Sequence, residues 1–165
     1  MRKNFSDIGF FPQPVLVIGT FDEAGVPNAM NVGWGGMCGS RYVNITISRR
    51  HKTTDNIFSK KAFTMSFADR AHLVEADYFG LISGAEENKI EKAGFHALRS
   101  EFVDAPLFEE LPLTLECRVL NTQVQDISQL PEAITARYYP AAGEGPDLHT
   151  LYYGEIVNAY LITED

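Results

Sequence analysis

The 165-residue chain contains only two cysteines, Cys38 and Cys117. They form no CxxC pair and no zinc spacing, so a disulfide framework and a cysteine metal site are excluded. A reducing, cytoplasmic setting is expected, with both thiols as small core residues. Long apolar runs are missing too. The longest early one, Val15 to Ile18, is far short of the roughly 20 residues of a membrane helix. The start, Met1-Arg2-Lys3-Asn4-Phe5-Ser6-Asp7, is not followed by a stretch that suits a signal peptide, so no membrane association is expected. No GxxxxGK[ST] occurs, and Gly33-Trp34-Gly35 runs into Gly36-Met37-Cys38 without completing GxGxxG. Nucleoside-triphosphate and dinucleotide folds therefore have no support. His72 and His96 stand alone, and no metal spacing joins them.

Basic residues are outnumbered 14 to 22, for a net charge of −8. The imbalance is uneven. Residues 41–61 carry six basic groups (Arg41, Arg49, Arg50, Lys52, Lys60, Lys61) against Asp55, whereas residues 101–165 carry twelve acids against two bases. One compact positive island in an acidic chain suits a small anionic ligand; a polynucleotide needs a longer basic track, so no nucleic acid partner is expected. The plain alternative is a solvated basic helix start. With 45% hydrophobic and 22% charged residues, the chain can build one core and is read as a single domain over 1–165.

Val15–Asp22 is rich in strand formers and ends at the turn chemistry of Glu23-Ala24-Gly25-Val26-Pro27-Asn28. Ala29–Met37 reads as its hairpin partner, with more glycine than an ordinary strand carries, which marks a bulge or a close backbone approach. Tyr42–Ser48 alternates, with Val43, Ile45 and Ile47 on one face. A helix is expected to start near Thr53 or Thr54, with either threonine as N-cap. Further strands are expected at Ala62–Ala68, Leu98–Val103, Leu113–Gln123, Ala133–Tyr139 and His149–Ile162. Helices are expected over Ala71–Phe79 and over Glu87–Lys92, the latter with a capping box at Ser83-Gly84-Ala85-Glu86 and a stop at Gly94. Tyr139–Asp147 reads as a loop. The fold class is mainly β with added helices, a β-barrel.

Ser48-x-Arg50-x-x-x-Thr54 stands at a strand-to-helix junction. A phosphate dianion needs several donors at once. Arginine offers a planar fork, hydroxyls donate short bonds, and the free N–H groups of a helix start add positive potential. The whole segment, with Arg49, His51 and Thr53, is the expected phosphate holder. A second constellation is Asn28-Ala29-Met30-Asn31-Val32-Gly33-Trp34-Gly35. A flavin ring wants backbone donors for its polar edge and a flat apolar wall, and a glycine-rich strand with Trp34 supplies both. Without the neighbouring phosphate segment, a bulged barrel strand with a core tryptophan is the preferred reading.

These segments, together with Asn56-Ile57, Tyr78–Gly84, Asn88-Lys89, Gly94, His149-Thr150-Leu151 and Gly154–Val157, resemble the flavin reductase-like, FMN-binding split-barrel family, which includes flavoredoxins. The resemblance spans roughly Pro14 to Ile162. It implies a Greek-key split barrel and a homodimer with FMN near the subunit interface. Ser48, Arg50 and Thr54 then look like phosphate ligands, and Asn28, Asn31 and Trp34, on the strand with Val32 and Gly33, like contacts to the ring or ribityl chain. Ser83, Gly84, Lys89 and His149 look like a second wall. The plainer readings are a helix cap for Ser83, a surface pair of Lys89 with Glu86 or Glu91, and a strand start for His149. The expected activity is NAD(P)H-dependent flavin reduction, with NADH or NADPH as co-substrate. Alternatives are a flavoredoxin-like electron carrier serving a small redox substrate or a redox protein, and a split barrel for another phosphate-bearing ligand. No residue is singled out as a catalytic acid, base or nucleophile, because the cofactor carries the chemistry.

Overall fold

In this computed structural model, residues 13–140 and 145–163 are described. The expected start Met1–Asp7 and the middle of the Tyr139–Asp147 loop lie outside them. In chain order the elements are β1 (Leu16–Phe21), β2 (Pro27–Val32), β3 (Gly35–Met37), β4 (Tyr42–Ser48), α1 (Lys52–Lys60) and β5 (Ala62–Phe67). A 3-10 turn at Arg70–His72 leads into α2 (Leu73–Leu81), followed by α3 (Lys89–Lys92), β6 (Ala97–Arg99), β7 (Pro106–Phe108), β8 (Leu113–Val124), α4 (Glu132–Tyr138) and β9 (His149–Leu161). Among the described residues, no helix is long and apolar enough to cross a membrane.

Seven strands form one antiparallel sheet in the order β2-β1-β5-β8-β9-β4-β3, while β6 and β7 pair separately. β2 and β3 lie at opposite edges of that sheet, yet only Gly33 and Trp34 connect them. A link of that length reaches about 11 Å at most, so the sheet has to curl until its edges meet. The seam lies at Gly35, where the β3–β4 ladder, which extends back to Trp34, comes up against β1. The N–H of Thr46 donates to Trp34 O at 2.8 Å. A Cβ on Gly35 would stand 2.7 Å from Asn44 O and 3.1 Å from Leu16 Cδ1. Strands from the two halves of the sheet therefore touch there.

Period-2 alternation fills the inside. Val43, Ile45 and Ile47 of β4 meet Leu16, Ile18, Phe63, Met65, Cys117 and Tyr152 in one buried cluster. The outer face of β1 and β2 buries Val17 and Ala29 under Phe79, Ile90, Phe95 and Phe108. Phe79 and Phe95 meet edge to face at 5.1 Å. This second cluster clamps α2 and α3 onto β2, which sets the Ile82–Asn88 connection beside the β2 asparagines.

Several expected elements differ. The second strand breaks at Gly33-Trp34 into β2 and β3, because the chain crosses the barrel seam there. Residues expected as a strand over 133–139 form α4. Pro131 precedes that helix, Glu132 and Arg137 match its dipole, and with none of its residues buried, Ile134 and Thr135 have no sheet to pack on. The helix expected from Glu87 starts only at Lys89, capped by Asn88, while Ser83 Oγ accepts from Ala85 N within a turn. His51, not a threonine, is the N-cap of α1. Strand β6 is shorter than expected, and β7 was not anticipated. Cys38 is exposed, whereas Cys117 is buried. Gly94 does end α3, in the left-handed conformation at φ +73.

Gly35→Ala is expected to destabilise the protein by about 1–3 kcal/mol through overpacking at the seam. Urea denaturation checks this; an unchanged midpoint would place the seam elsewhere.

Candidate functional site

Barrel closure brings the end of β4, the first rung of β9, strand β2 and the start of α1 to one place. Ser48, the last residue of β4, is the register partner of His149, the first of β9. Two clefts meet there. One, of about 250 Å³, lies between Asn28, Thr53 and the α2–α3 connection at Gly80–Gly84, with Lys89 in its wall. The other, of about 270 Å³, runs over Asn31–Trp34, Ser48 and His149. They share Met30 and His51. Of the fifteen residues expected to contact a ligand, only Arg49, Arg50 and Thr54 line neither cleft.

Asn28 is 3% exposed, and its Nδ2 donates to Thr53 Oγ1 at 2.9 Å. Its Oδ1 is buried without a partner. A buried amide left half-paired costs stability unless something else satisfies it, so this atom marks a place for a polar ligand group. A Cβ on Gly84 would collide with that Oδ1, and one on Gly80 with the Asn31 amide. Gly80, which belongs to the Tyr78–Gly84 segment of the resemblance but has no site role there, thus lets α2 lie against the β2 asparagines.

Lys89 is 4% exposed and donates from Nζ to Phe79 O at 2.7 Å and Ile82 O at 2.8 Å. It caps the C-terminal end of α2, so the expected surface pair with Glu86 or Glu91 does not form. Burial pushes its pKa down to about 8. His51 lies where the two clefts join. Burial holds its pKa below the ordinary value, with Lys89 and His149 adding to the effect and Asp147 opposing it.

The phosphate segment divides into supports and donors. Thr54 Oγ1 donates to Ser48 O at 2.8 Å and braces the strand-to-helix turn. Thr53 is taken by Asn28. Arg49 is exposed, and its backbone N–H donates to Leu148 O at 2.9 Å. Ser48 Oγ and Arg50 face an anion belonging to the chain itself. Ser48 Oγ donates to the Asp147 carboxylate, 2.6 and 2.7 Å from its two oxygens. Arg50 Nε is 4.0 Å from Asp147 Oδ1, and Arg50 Nη2 donates to Gly145 O at 2.9 Å. The start of α1 carries no side-chain cap, which leaves its first N–H groups open beside this cradle. Nothing in the sequence signalled Asp147, which lies 99 residues from its partner.

At the other end, Trp34 is 60% exposed. It is therefore not the core tryptophan of the plainer reading. Its ring lies 5.2 Å from that of His149, tilted by 54°. One cleft thus joins the Ser48 turn to the Trp34–His149 pair, and the other, which meets it at Met30 and His51, holds the buried unpaired amide of Asn28.

The family described as "Flavin reductase like domain" matches residues 8–165. No curated protein sequence matches the chain. Among solved structures, flavoredoxin of Desulfovibrio vulgaris (Miyazaki F) superposes with a TM-score of 0.78 at 27% identity, over 98% of this chain and 77% of that one. A split-barrel domain from Shewanella frigidimarina NCIMB 400 gives 0.72 at 19% identity, over 92% and 68%. An FMN-binding protein from Thermus thermophilus gives 0.71 at 16% identity, over 98% and 80%. The curled seven-stranded sheet is the split-barrel fold of these structures.

Lys89 carries a consequence for stability. Between pH 8 and 10.5, the folded and ordinary values, the unfolded chain holds more protons at this group than the folded one. Stability from this group is reduced below that window and rises through it. The stability advantage of the wild type over Lys89→Met, measured by urea midpoints, is expected to grow as the pH is raised across the window. A constant difference would show that burial does not perturb this lysine.

Proposed function

Because the chain belongs to the flavin reductase-like domain family, we propose that it is an FMN-binding oxidoreductase that takes electrons from NADH or NADPH. The observation that carries this reading is the pair of clefts joined at Met30 and His51, with Trp34 and His149 in the wall of one and the Ser48–Arg50 cradle beside it. FMN has the matching layout of a phosphate, a hydroxylated chain and a flat ring. The fit rests on three features: the cradle that already binds a carboxylate, the unpaired Asn28 Oδ1, and the close approach that Gly80 and Gly84 permit.

In this reading Ser48, Arg50 and the open N–H groups of α1 hold the phosphate, with Arg49 and His51 adding positive or polar surroundings and Thr53 and Thr54 holding the cradle in shape. The amides of Asn28 and Asn31 and the backbone of Val32 and Gly33 meet the polar groups of the chain and ring. Trp34 and His149 flank the ring, and Ser83, Gly84 and Lys89 form the opposite wall. Bound FMN supplies the redox chemistry by accepting hydride at N5. The chain's residues hold distance and orientation, exclude water and supply hydrogen bonds, and none needs to be a nucleophile. The domain works as a homodimer in this reading.

A second reading, electron carriage between protein partners, is favoured by the likeness to flavoredoxin and by the twelve acids of residues 101–165, which suit docking on a basic partner.

The purified protein is expected to take up FMN, and Arg50→Ala to weaken uptake roughly 10–100-fold, since a charge-assisted bond contributes about 1.5–3 kcal/mol. Absence of uptake rejects both flavin readings. Anaerobic stopped-flow absorbance separates them: bleaching of bound FMN by NADH or NADPH supports the reductase, whereas reduction only through a partner protein supports the carrier.

A further inference from the structure

The Ser48–Arg50 cradle contains a carboxylate from its own chain. Resting on the FMN reading above, we propose that Asp147 is an internal competitor for the phosphate of the flavin, so that FMN enters and leaves by exchange with this side chain.

The geometry makes the two anions mutually exclusive. Both Asp147 oxygens lie within 2.7 Å of Ser48 Oγ, which has a single proton to give. A phosphate oxygen that takes the Ser48 bond must stand where an Asp147 oxygen stands now. If both stayed, a dianion and a carboxylate would be in contact in a half-buried place, where like charges repel strongly. Exchange is easy for Asp147. Its side chain bonds to Ser48 and faces Arg50, with the neighbouring His51 as the other titratable group that senses it. Its side chain is 38% exposed, so rotation about its own bonds returns the carboxylate to water, and the incoming phosphate takes over the bond from the buried Ser48. Displacement leaves it close by. The backbone on either side is pinned, by Arg50 Nη2 on Gly145 O and by Arg49 N on Leu148 O. The carboxylate therefore stays at a high effective concentration beside the cradle and competes whenever the phosphate lets go. Such a site releases its flavin more readily than one with an uncontested cradle.

The test compares FMN with riboflavin, which lacks the phosphate, by quenching of flavin fluorescence in phosphate-free buffer. Asp147→Asn and Asp147→Ala are expected to bind FMN about tenfold tighter than wild type, the size of effect that one competing charge supplies. FMN release is expected to slow accordingly, with riboflavin affinity unchanged. Equal changes for both flavins, or unchanged or weaker FMN binding in both variants, overturn the proposal. A second arm uses inorganic phosphate and thermal unfolding. Phosphate is expected to raise the midpoint of Asp147→Asn more than that of wild type, and not that of the Arg50→Ala/Asp147→Asn double variant. If no protein takes up flavin, the FMN reading fails, and the phosphate arm still decides the competition: equal stabilisation of wild type and Asp147→Asn rejects it.

Discussion

The two-residue link Gly33-Trp34 constrains everything else in this fold. It joins the outermost strands of a seven-stranded sheet, and no open, gently twisted sheet can satisfy it. Closure follows, and with it the packing of Leu16 near Gly35 and the single inner core. Closure also makes the site. Strand β2 lies at one edge and β4 next to the other, inside the short β3, so the asparagines of the first and the Ser48 turn of the second become neighbours only because the edges meet. Fold and candidate site thus share one geometric cause.

Around that seam, polar groups are spent mostly on holding backbone. Thr54 ties the turn after β4, Thr53 orients Asn28, and Lys89 closes the end of α2 through two carbonyls. What is left over has the character of a site. Asn28 Oδ1 is unpaired, the α1 start has no side-chain cap, and Trp34 is exposed. A small acidic protein tolerates such leftovers where a ligand can satisfy them.

The sequence made legible whatever depends on near neighbours. Strand β4 was read at its observed bounds because Val43, Ile45 and Ile47 alternate within one short run. The junction chemistry of Ser48 to Thr54 was legible because serine, arginine and a helix start occur within a few residues. Division of labour inside that segment was not: whether Thr54 faces a ligand or Ser48 O depends on how the turn closes. Strand β7 and the extent of β6 are set by pairing across the chain, whereas in α4 Ile134 stays exposed and packs on no sheet. Asp147 was invisible for the same reason, since a lone aspartate in a loop gives no hint of a serine brought near by folding.

The register of β4 against β9 has one more implication. Ser48 and His149 are opposite rungs of one antiparallel ladder, so hydrogen bonds, rather than the loop before His149, fix the spacing between cradle and aromatic wall. The ladder holds the two side by side. Residues of the preceding loop can be inserted, deleted or exchanged without disturbing that spacing. A change in what the loop delivers to the cradle thus leaves the Ser48–His149 spacing as it is.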